Sequence, residues 1–228
     1  WAYRNKMQMP VGGTKGNILM GFYAMGSHDI VQGTNCPIQD EGNNIIAQAC
    51  YQIAKEFDIE PYNEHTGKGI LRHVIGRIRQ SGWMVILVTA TDNLPHQEKW
   101  VKNLTERVPQ VETIVHNVNG KRTNVILGPK NRILYGDGTI TDHIKDLRFT
   151  LSPHSFFQVN PEQTTVLYDQ ALAYADLKGD ETVIDAYCGT GTISLFLAHK
   201  AKHVIGIEIV EPAIINACEN AKRNGYDN

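Results

Sequence analysis

Two short segments constrain the fold of this chain more than any other part of it: residues 183–191, Val-Ile-Asp-Ala-Tyr-Cys-Gly-Thr-Gly, and residues 203–208, His-Val-Ile-Gly-Ile-Glu. The first has the pattern of a buried strand and a glycine turn that opens a helix, and the second is a strand ending in an acid. Glu208 follows Asp185 by 23 residues, close to the interval of about 20 residues at which a carboxylate meets a ribose. The pattern predicts an adenosine-binding βαβ unit.

The residues of the glycine turn favour S-adenosylmethionine over a dinucleotide. A dinucleotide site is typified by G-x-G-x-x-G, but Ser194 stands at the position of the third glycine. The sulfonium and ammonium groups of S-adenosylmethionine are cationic and are attracted to the carboxylate of Asp185. Two alternatives remain for this unit: a nicotinamide-dependent oxidoreductase, and a structural turn without any ligand.

Several segments resemble a known enzyme family. Residues 155–160, Ser-Phe-Phe-Gln-Val-Asn, together with residues 185–191 and 206–208, are similar to the RNA (uracil-5-)-methyltransferases, which form ribothymidine in transfer or ribosomal RNA. Upstream segments, among them residues 1–6 and 71–73, resemble the central region of the same family, nearest to its 23S ribosomal RNA branch. The resemblance covers nearly the whole chain, and Phe-Gln-Val-Asn is its most specific segment.

The resemblance implies an α/β fold, in which the N-terminal half of a Rossmann-like class I methyltransferase domain is preceded by an α+β central domain. We expect the central, RNA-facing domain at residues 1–150 and the first part of the methyltransferase domain at residues 151–228. Only two parallel strands are predicted in the second region. Two such strands with apolar faces are not a stable sheet, so further strands are expected beyond residue 228 or from another chain.

Carried over residue by residue, the resemblance implies that Gln158, Tyr187, Thr192 and Glu208 contact S-adenosylmethionine. Gln158 offers donors and an acceptor to the amino-acid end of the cofactor, and Tyr187 offers a flat apolar face. Glu208 would accept hydrogen bonds from the ribose hydroxyls. Thr192 replaces an asparagine that some relatives carry, so its contact is expected to be a single hydroxyl hydrogen bond or to be absent.

The catalytic residues of the family are expected beyond residue 228, and this fragment alone is expected to be inactive. In the family a cysteine thiolate adds to C6 of uracil, C5 then attacks the methyl group, and a base removes the C5 proton. No residue of this chain matches those roles. Cys188 lies in the glycine turn, where N–H groups can lower a thiol pKa, but a buried packing role is the favoured interpretation.

Cys36, followed by Pro37, matches the fourth ligand of an iron-sulfur cluster found in several members of the family. The other three ligands are absent here, and a cluster needs four, so a cluster is expected only in a longer parent protein. The chain has four cysteines without C-x-x-C spacing, which indicates a reduced, cytoplasmic protein. Its apolar runs are too short for the roughly 20 residues that cross a bilayer.

The charge distribution is compatible with RNA as a partner. Residues 1–150 carry 17 Lys and Arg against 14 Asp and Glu, whereas residues 151–228 carry 5 against 10. Arg77 and Arg79 alternate along a predicted strand and indicate either a face that follows phosphates or an ordinary solvated sheet face. We expect 23S ribosomal RNA as the substrate, and the alternatives are transfer RNA and a non-catalytic RNA-binding module.

Turn and cap residues predict the local structure around these sites. Ser81-Gly82 is predicted to close one hairpin, and Asn119-Gly120 a second one, between strands at residues 111–118 and 123–127. Asn160 and Pro161 predict the start of a helix that runs to about residue 175.

Overall fold

The computed structural model describes residues 1–227, which divide into two compact units, Trp1–Ile140 and a second unit from Thr141 onward. This division falls after the first residue of the strand Ile140–Ile144, which is followed by the strand Leu147–Leu151. The second of these strands packs against the helix Glu211–Arg223. The assignment of separate functions to residues 1–150 and 151–228 stays a prediction.

The first unit is built on a seven-stranded mixed sheet. Its strands are β1 (Lys6–Thr14), β2 (Asn17–Tyr23), β3 (Ile30–Gln32), β4 (Leu71–Arg79), β5 (Gly82–Thr89), β6 (Val111–Val118) and β7 (Lys130–Tyr135). They lie in the order β3-β2-β1-β4-β5-β6-β7, and β5 and β6 are parallel. Helices α1 (Glu41–Glu56) and α2 (Gln97–Arg107) bury Ile46, Ile53, Trp100 and Leu104 in the core that they share with the sheet.

Strand β1 contains Pro10, although proline is rare in the interior of a sheet. In the structure β1 pairs with β4 over residues 6–10 and with β2 over residues 11–14. Pro10 is therefore the last residue paired with β4, where the strand changes partner. A proline, which has no N–H, is tolerated at such a position.

The hairpin predicted across Ser81-Gly82 is confirmed, since Arg79 pairs with Gly82 at the β4–β5 turn. The hairpin predicted across Asn119-Gly120 is wrong. Residues 123–127 form a loop, and β6 pairs instead with β7. The physical reason is the side chain of Asn119, whose Nδ2 donates to the carbonyls of Val125 and Ile126 at 2.6 and 3.0 Å and holds the loop in place.

Strand β4 is buried along its whole length, and this burial changes the interpretation of its arginines. Arg77 is 1% exposed and Arg79 is 6% exposed. A solvated face and a face that follows phosphates both require exposed guanidinium groups, so neither interpretation is supported. The strand lies in the middle of the sheet, where both faces are covered.

The second unit contains the predicted βαβ pattern. Its elements are β8 (Ile140–Ile144), β9 (Leu147–Leu151), α3 (Pro161–Ala175), β10 (Thr182–Ala186), α4 (Thr192–Ala198), β11 (His203–Ile207) and α5 (Glu211–Arg223). Strands β10 and β11 are parallel, with Asp185 paired with Gly206. The two-stranded parallel sheet is thus confirmed, and it leaves Ile184 and Ile205 at least half exposed.

The start of α3 is also confirmed. The side chain of Asn160 accepts a hydrogen bond from the N–H of Gln163 at 3.2 Å, and Pro161 occupies the first helical turn. The cap satisfies an N–H group that has no partner within the helix. The helix therefore begins immediately after the Phe-Gln-Val-Asn segment.

Candidate functional site

The turn between β10 and α4 has a left-handed backbone at three positions: Tyr187 (φ 82°), Gly189 (φ 56°) and Gly191 (φ 80°). A Cβ atom added at Gly189 would meet nothing within 4 Å. A Cβ atom added at Gly191 would lie 3.2 Å from the Cβ of Ala217 on α5. Gly191 thus permits close packing of α5, whereas Gly189 borders open space that a ligand can approach.

Glu208 connects the end of β11 to this turn. One carboxylate oxygen accepts a hydrogen bond from the Gly189 N–H at 3.2 Å, and the other accepts from the N–H groups of Ile209 and Val210 at 2.8 and 2.9 Å. The bond from Val210, with those from Ile209 and Gly189, lowers the pKa of Glu208. The side chain is therefore an anion at neutral pH and retains lone pairs for further donors, such as ribose hydroxyls.

Asp185 lies near the end of β10 and is half-buried. Its carboxylate accepts a hydrogen bond from the hydroxyl of Ser194, on α4, at 2.5 Å. The sequence marks Ser194 only as a replacement for the third glycine of a dinucleotide motif, whereas in the structure its hydroxyl orients the Asp185 carboxylate. The two carboxylates, Asp185 and Glu208, come from the carboxyl ends of adjacent parallel strands, where ligands bind in open α/β sheets.

Three of the four residues predicted to contact the cofactor lie on the βαβ unit. Tyr187 is 90% exposed beside the glycine turn, and Glu208 is bonded to that turn. The Thr192 hydroxyl lies 3.0 Å from the hydroxyl of Tyr168, so it already has a hydrogen-bond partner. Gln158 is half-buried in the segment between β9 and α3, outside the βαβ unit. The contacts of these four residues with a cofactor stay predictions.

These features fit S-adenosylmethionine. The open space at Gly189 admits a ligand close to the backbone, and the anionic Glu208 supplies acceptors for its ribose. Asp185 supplies a negative charge near a cationic ligand, and Tyr187 in the same turn supplies an exposed aromatic ring.

Comparison with known proteins agrees with this geometry. A family profile described as a methyltransferase domain matches residues 177–228. The whole chain is 50% identical, over 230 residues, to an uncharacterized RNA methyltransferase of Halalkalibacterium halodurans. It is also 49% identical, over 228 residues and 99% of its length, to one of Clostridium acetobutylicum. Its homologues are RNA methyltransferases. The chain spans about half the length of these relatives, 50% in both cases.

A solved structure supports the same family of folds. The chain is similar to the tRNA (uracil-54, C5)-methyltransferase of Pyrococcus abyssi, crystallised in complex with S-adenosyl-L-homocysteine. The TM-score is 0.81 and the identity is 25%, and the similarity covers 99% of this chain and 54% of that protein. The predicted mixed α/β architecture with a Rossmann-like methyltransferase fold is confirmed, and S-adenosylmethionine is supported as the cofactor.

The turn between β10 and α4 also contains Cys188, which is 6% exposed. A Cβ atom added at Gly206, on β11, would lie 2.9 Å from its Sγ, so the thiol packs against that glycine. Burial raises the pKa of Cys188, and the carboxylates of Asp185 and Glu208 raise it further. The thiol is therefore protonated at neutral pH, and its predicted burial is confirmed.

Asn220 of α5 is hydrogen-bonded to the turn between β10 and α4, and the sequence gives no signal for this role. The residue is fully buried. Its Nδ2 donates to the carbonyl of Thr190 at 3.1 Å, and its Oδ1 accepts from the N–H of Thr150 at 3.0 Å. In the sequence it lies in the polar run Cys-Glu-Asn-Ala-Lys-Arg, which is typical of a solvated helix end.

Cys36 is half-buried, and its N–H donates to Oδ1 of Asn44 at 3.0 Å. Within residues 1–227 no group of three or more His, Cys, Asp or Glu side chains could hold a metal ion. The donors present do not fit an iron-sulfur cluster, which needs four ligands, so no reaction step is assigned to one.

Within residues 1–227, no helix is long and apolar enough to span a membrane.

Proposed function

We propose that this chain provides the cofactor-binding turn and an RNA-facing region of an S-adenosylmethionine-dependent enzyme that methylates uridine at C5 in RNA. The observation that carries the proposal is the bond from the Gly189 N–H to Glu208, which places a carboxylate beside open space at the ends of two parallel strands. Identity of 50% with an RNA methyltransferase supports RNA as the substrate. Similarity to the Pyrococcus abyssi enzyme supports uracil C5 as the methylated atom.

Each residue of the site has a proposed task in holding the cofactor. When bound, S-adenosylmethionine supplies an electrophilic methyl group. Glu208 accepts hydrogen bonds from its ribose hydroxyls, and Asp185 attracts its cationic amino-acid portion. Tyr187 provides an exposed aromatic face, and Gln158 provides hydrogen bonds for the amino-acid end. Thr192 contributes a weaker contact, because Tyr168 already engages its hydroxyl.

The nucleophile and the base that act on uracil are proposed to lie outside residues 1–228. The environments of the buried cysteines support this assignment, since burial raises the pKa of Cys50 to about 12 and also raises that of Cys188. A nucleophilic cysteine needs the opposite, a stabilised thiolate. The target uridine must also be unstacked, because chemistry at C5 and C6 requires access to the face of the ring.

We propose ribosomal RNA, specifically 23S ribosomal RNA, as the substrate. Transfer RNA is the second candidate, favoured by the similarity to the Pyrococcus abyssi enzyme. A nicotinamide-dependent oxidoreductase is disfavoured, because Ser194 replaces the third glycine and is bonded to Asp185. A non-catalytic RNA-binding module would show salt-sensitive RNA binding without methyl transfer.

Mass-spectrometric nucleoside mapping tests the proposal. RNA is isolated from cells that lack the gene, from cells complemented with the full gene, and from cells complemented with its Glu208→Ala variant. We expect 5-methyluridine to disappear from one 23S site and to return with the unchanged gene but not with the variant. Loss of a methyl group from a nitrogen or a ribose oxygen would refute the base assignment. Loss from transfer RNA would select the second candidate.

A further inference from the structure

The first unit contains a cavity of about 520 Å³ that the proposed methyl-transfer chemistry does not use. Its lining comes from residues 11–13 of β1, from β2, β3 and the segment that links them, from residues 62–65, from the start of β4 and from the loop at residues 123–126. All of these residues belong to Trp1–Ile140. The volume lies in the range of about 300–1,000 Å³ that is typical of small-molecule sites.

One wall of the cavity is a fixed aromatic pair with a carboxylate at its edge. The rings of Tyr23 and His28 stack with centroids 4.8 Å apart and an interplanar angle of 19°. The Tyr23 hydroxyl donates to one oxygen of Glu64 at 3.3 Å, and Nδ1 of His28 lies 2.8 Å from the other. All three side chains remain accessible to solvent. The wall therefore presents a flat aromatic surface and spare acceptor lone pairs side by side.

Another part of the lining, Arg72 and His73, is buried and polar. Arg72 stacks over the Tyr62 ring at 4.5 Å, and its guanidinium group donates to the carbonyls of Asn119 and Lys121. His73 is 9% exposed, and its Nδ1 has no hydrogen-bond partner among residues 1–227. Desolvation lowers the pKa of His73 to about 4, so its ring is neutral. A buried ring nitrogen without a partner is costly unless a ligand satisfies it.

Basic side chains lie next to the same cavity. Lys121 and Arg122 precede the lining loop and are exposed, and the Arg122 guanidinium donates to the carbonyl of Thr66. That contact joins the residue before the lining loop to the residue that follows the segment 62–65. Cations and exposed aromatic rings around one site are the combination with which proteins hold single-stranded nucleic acid, through phosphate contacts and base stacking.

We propose that this cavity binds one unpaired nucleobase of the RNA, separate from the uridine that is methylated. The base extends the stack of Tyr23 and His28, and its N–H edge donates to Glu64. Guanine suits this edge best, because it presents two adjacent N–H donors to a carboxylate, whereas uracil presents one. The inference rests on the proposed function, since it takes RNA as the ligand.

Fluorescence anisotropy with the complete 228-residue chain tests the inference. The probes are single-stranded RNAs of about ten nucleotides, one made of uridine alone and one with a single central guanosine. We expect tighter binding of the guanosine probe. Tyr23→Ala should weaken that binding about tenfold, the usual effect of removing a stacking side chain. Tyr23→Phe should retain most of the affinity, because it keeps the ring.

Two further variants sharpen the test. Glu64→Gln should abolish the preference for guanosine while leaving the affinity for the uridine probe unchanged. Tyr174→Ala removes a tyrosine that is 82% exposed on α3, outside the cavity, and should bind both probes as the unchanged chain does. Circular dichroism establishes that each variant is folded. The dependence of affinity on salt should be the same for Tyr23→Ala as for the unchanged chain, because phosphate contacts are kept.

Several outcomes would overturn the inference. They are equal affinities of the Tyr23→Ala and Tyr174→Ala variants, no RNA binding by the unchanged chain, or displacement of the guanosine probe by free guanosine monophosphate at an equal concentration. Binding of S-adenosylhomocysteine, measured in parallel, separates the two proposals. RNA binding that depends on Tyr23 without cofactor binding supports the cavity assignment and counts against the methyltransferase. Cofactor binding without RNA binding that depends on Tyr23 supports the methyltransferase and counts against the cavity assignment.

Discussion

The carboxylate of Glu208 accepts a hydrogen bond from the backbone N–H of Gly189 at 3.2 Å. This bond joins residues that are 19 positions apart and brings the end of β11 against the turn after β10. It explains how the glycine and the acid of this chain form one site. The glycine leaves space for the ligand, and the acid is held at the edge of that space.

Alanine substitutions at Gly189 and Gly225 distinguish the loss of space for the ligand from the cost of backbone strain. Gly189 and Gly225 both have a left-handed backbone, with φ of 56° and 74°, and neither has an atom within 4 Å of an added Cβ. Alanine at either position should lower the free energy of unfolding by about 1 kcal/mol, because side chains disfavour this conformation. Only Gly189→Ala should also weaken S-adenosylhomocysteine binding, by at least about tenfold, since its methyl group enters the proposed site.

Urea denaturation and calorimetry measure these two effects separately. Gly225→Ala is the matched control for strain. If both variants lost cofactor affinity to the same extent, or neither did, Gly189 would not border the ligand.

The pH dependence of cofactor binding follows from the lowered pKa of Glu208. Its value in the folded chain lies below the ordinary 4.5, chiefly because of the bond from the Val210 N–H. The contribution of the ionised Glu208 carboxylate to cofactor affinity is complete above pH 4.5 and is lost as pH falls through the lowered pKa. We expect the affinity for S-adenosylhomocysteine to be flat from about pH 8 to about pH 5 and to fall at lower pH.

Titrations at a series of pH values check this profile, with Glu208→Gln as the control. That variant should bind more weakly throughout, and its acidic decline should be smaller by the part that the ionisation of Glu208 contributes. A decline centred near neutral pH would point to a histidine instead.

Asn220→Ala should destabilise the second unit. The substitution leaves the Thr190 carbonyl and the Thr150 N–H without the partners that Asn220 provides in a buried site. We expect a loss of about 2 kcal/mol in the free energy of unfolding. Asn216→Ala, at a half-buried position on the same helix, should cost less than about 0.5 kcal/mol. Equal losses in urea denaturation would show that the buried bonds are not responsible.

The four cysteines should differ in their reactivity with iodoacetamide. Cys218 is exposed, Cys36 is half-buried, and Cys50 and Cys188 are buried. The thiolate is the reactive form, and burial raises the pKa of both buried thiols. At mildly alkaline pH, peptide mass spectrometry should find Cys218 modified first and Cys188 protected. Rapid labelling of Cys188 would contradict its packing against Gly206.

Much of the second unit is predictable from the sequence because its signals are local. The apolar run before Asp185 gives β10, and the cap formed by Asn160 gives the start of α3. The hydrogen bond of Glu208 to the turn is consistent with the spacing of its motif. The positions of these residues follow from short-range rules of strands, turns and caps.

The remaining features depend on contacts that are distant in the sequence. The partner exchange of β1 at Pro10 requires two strands that lie on either side of it. Burial of Arg77 follows from its position in a central strand. The buried bonds of Asn220 link helix α5 to residues 70 and 30 positions earlier. No local pattern marks any of these.

Calorimetric titration of the chain with S-adenosylhomocysteine tests the central claim most directly. We expect saturable binding with one site, and Glu208→Ala should weaken it at least about tenfold, by ~1.4 kcal/mol. The absence of heat on titration, or an unchanged affinity in the Glu208→Ala variant, would contradict a cofactor site at the carboxyl ends of β10 and β11.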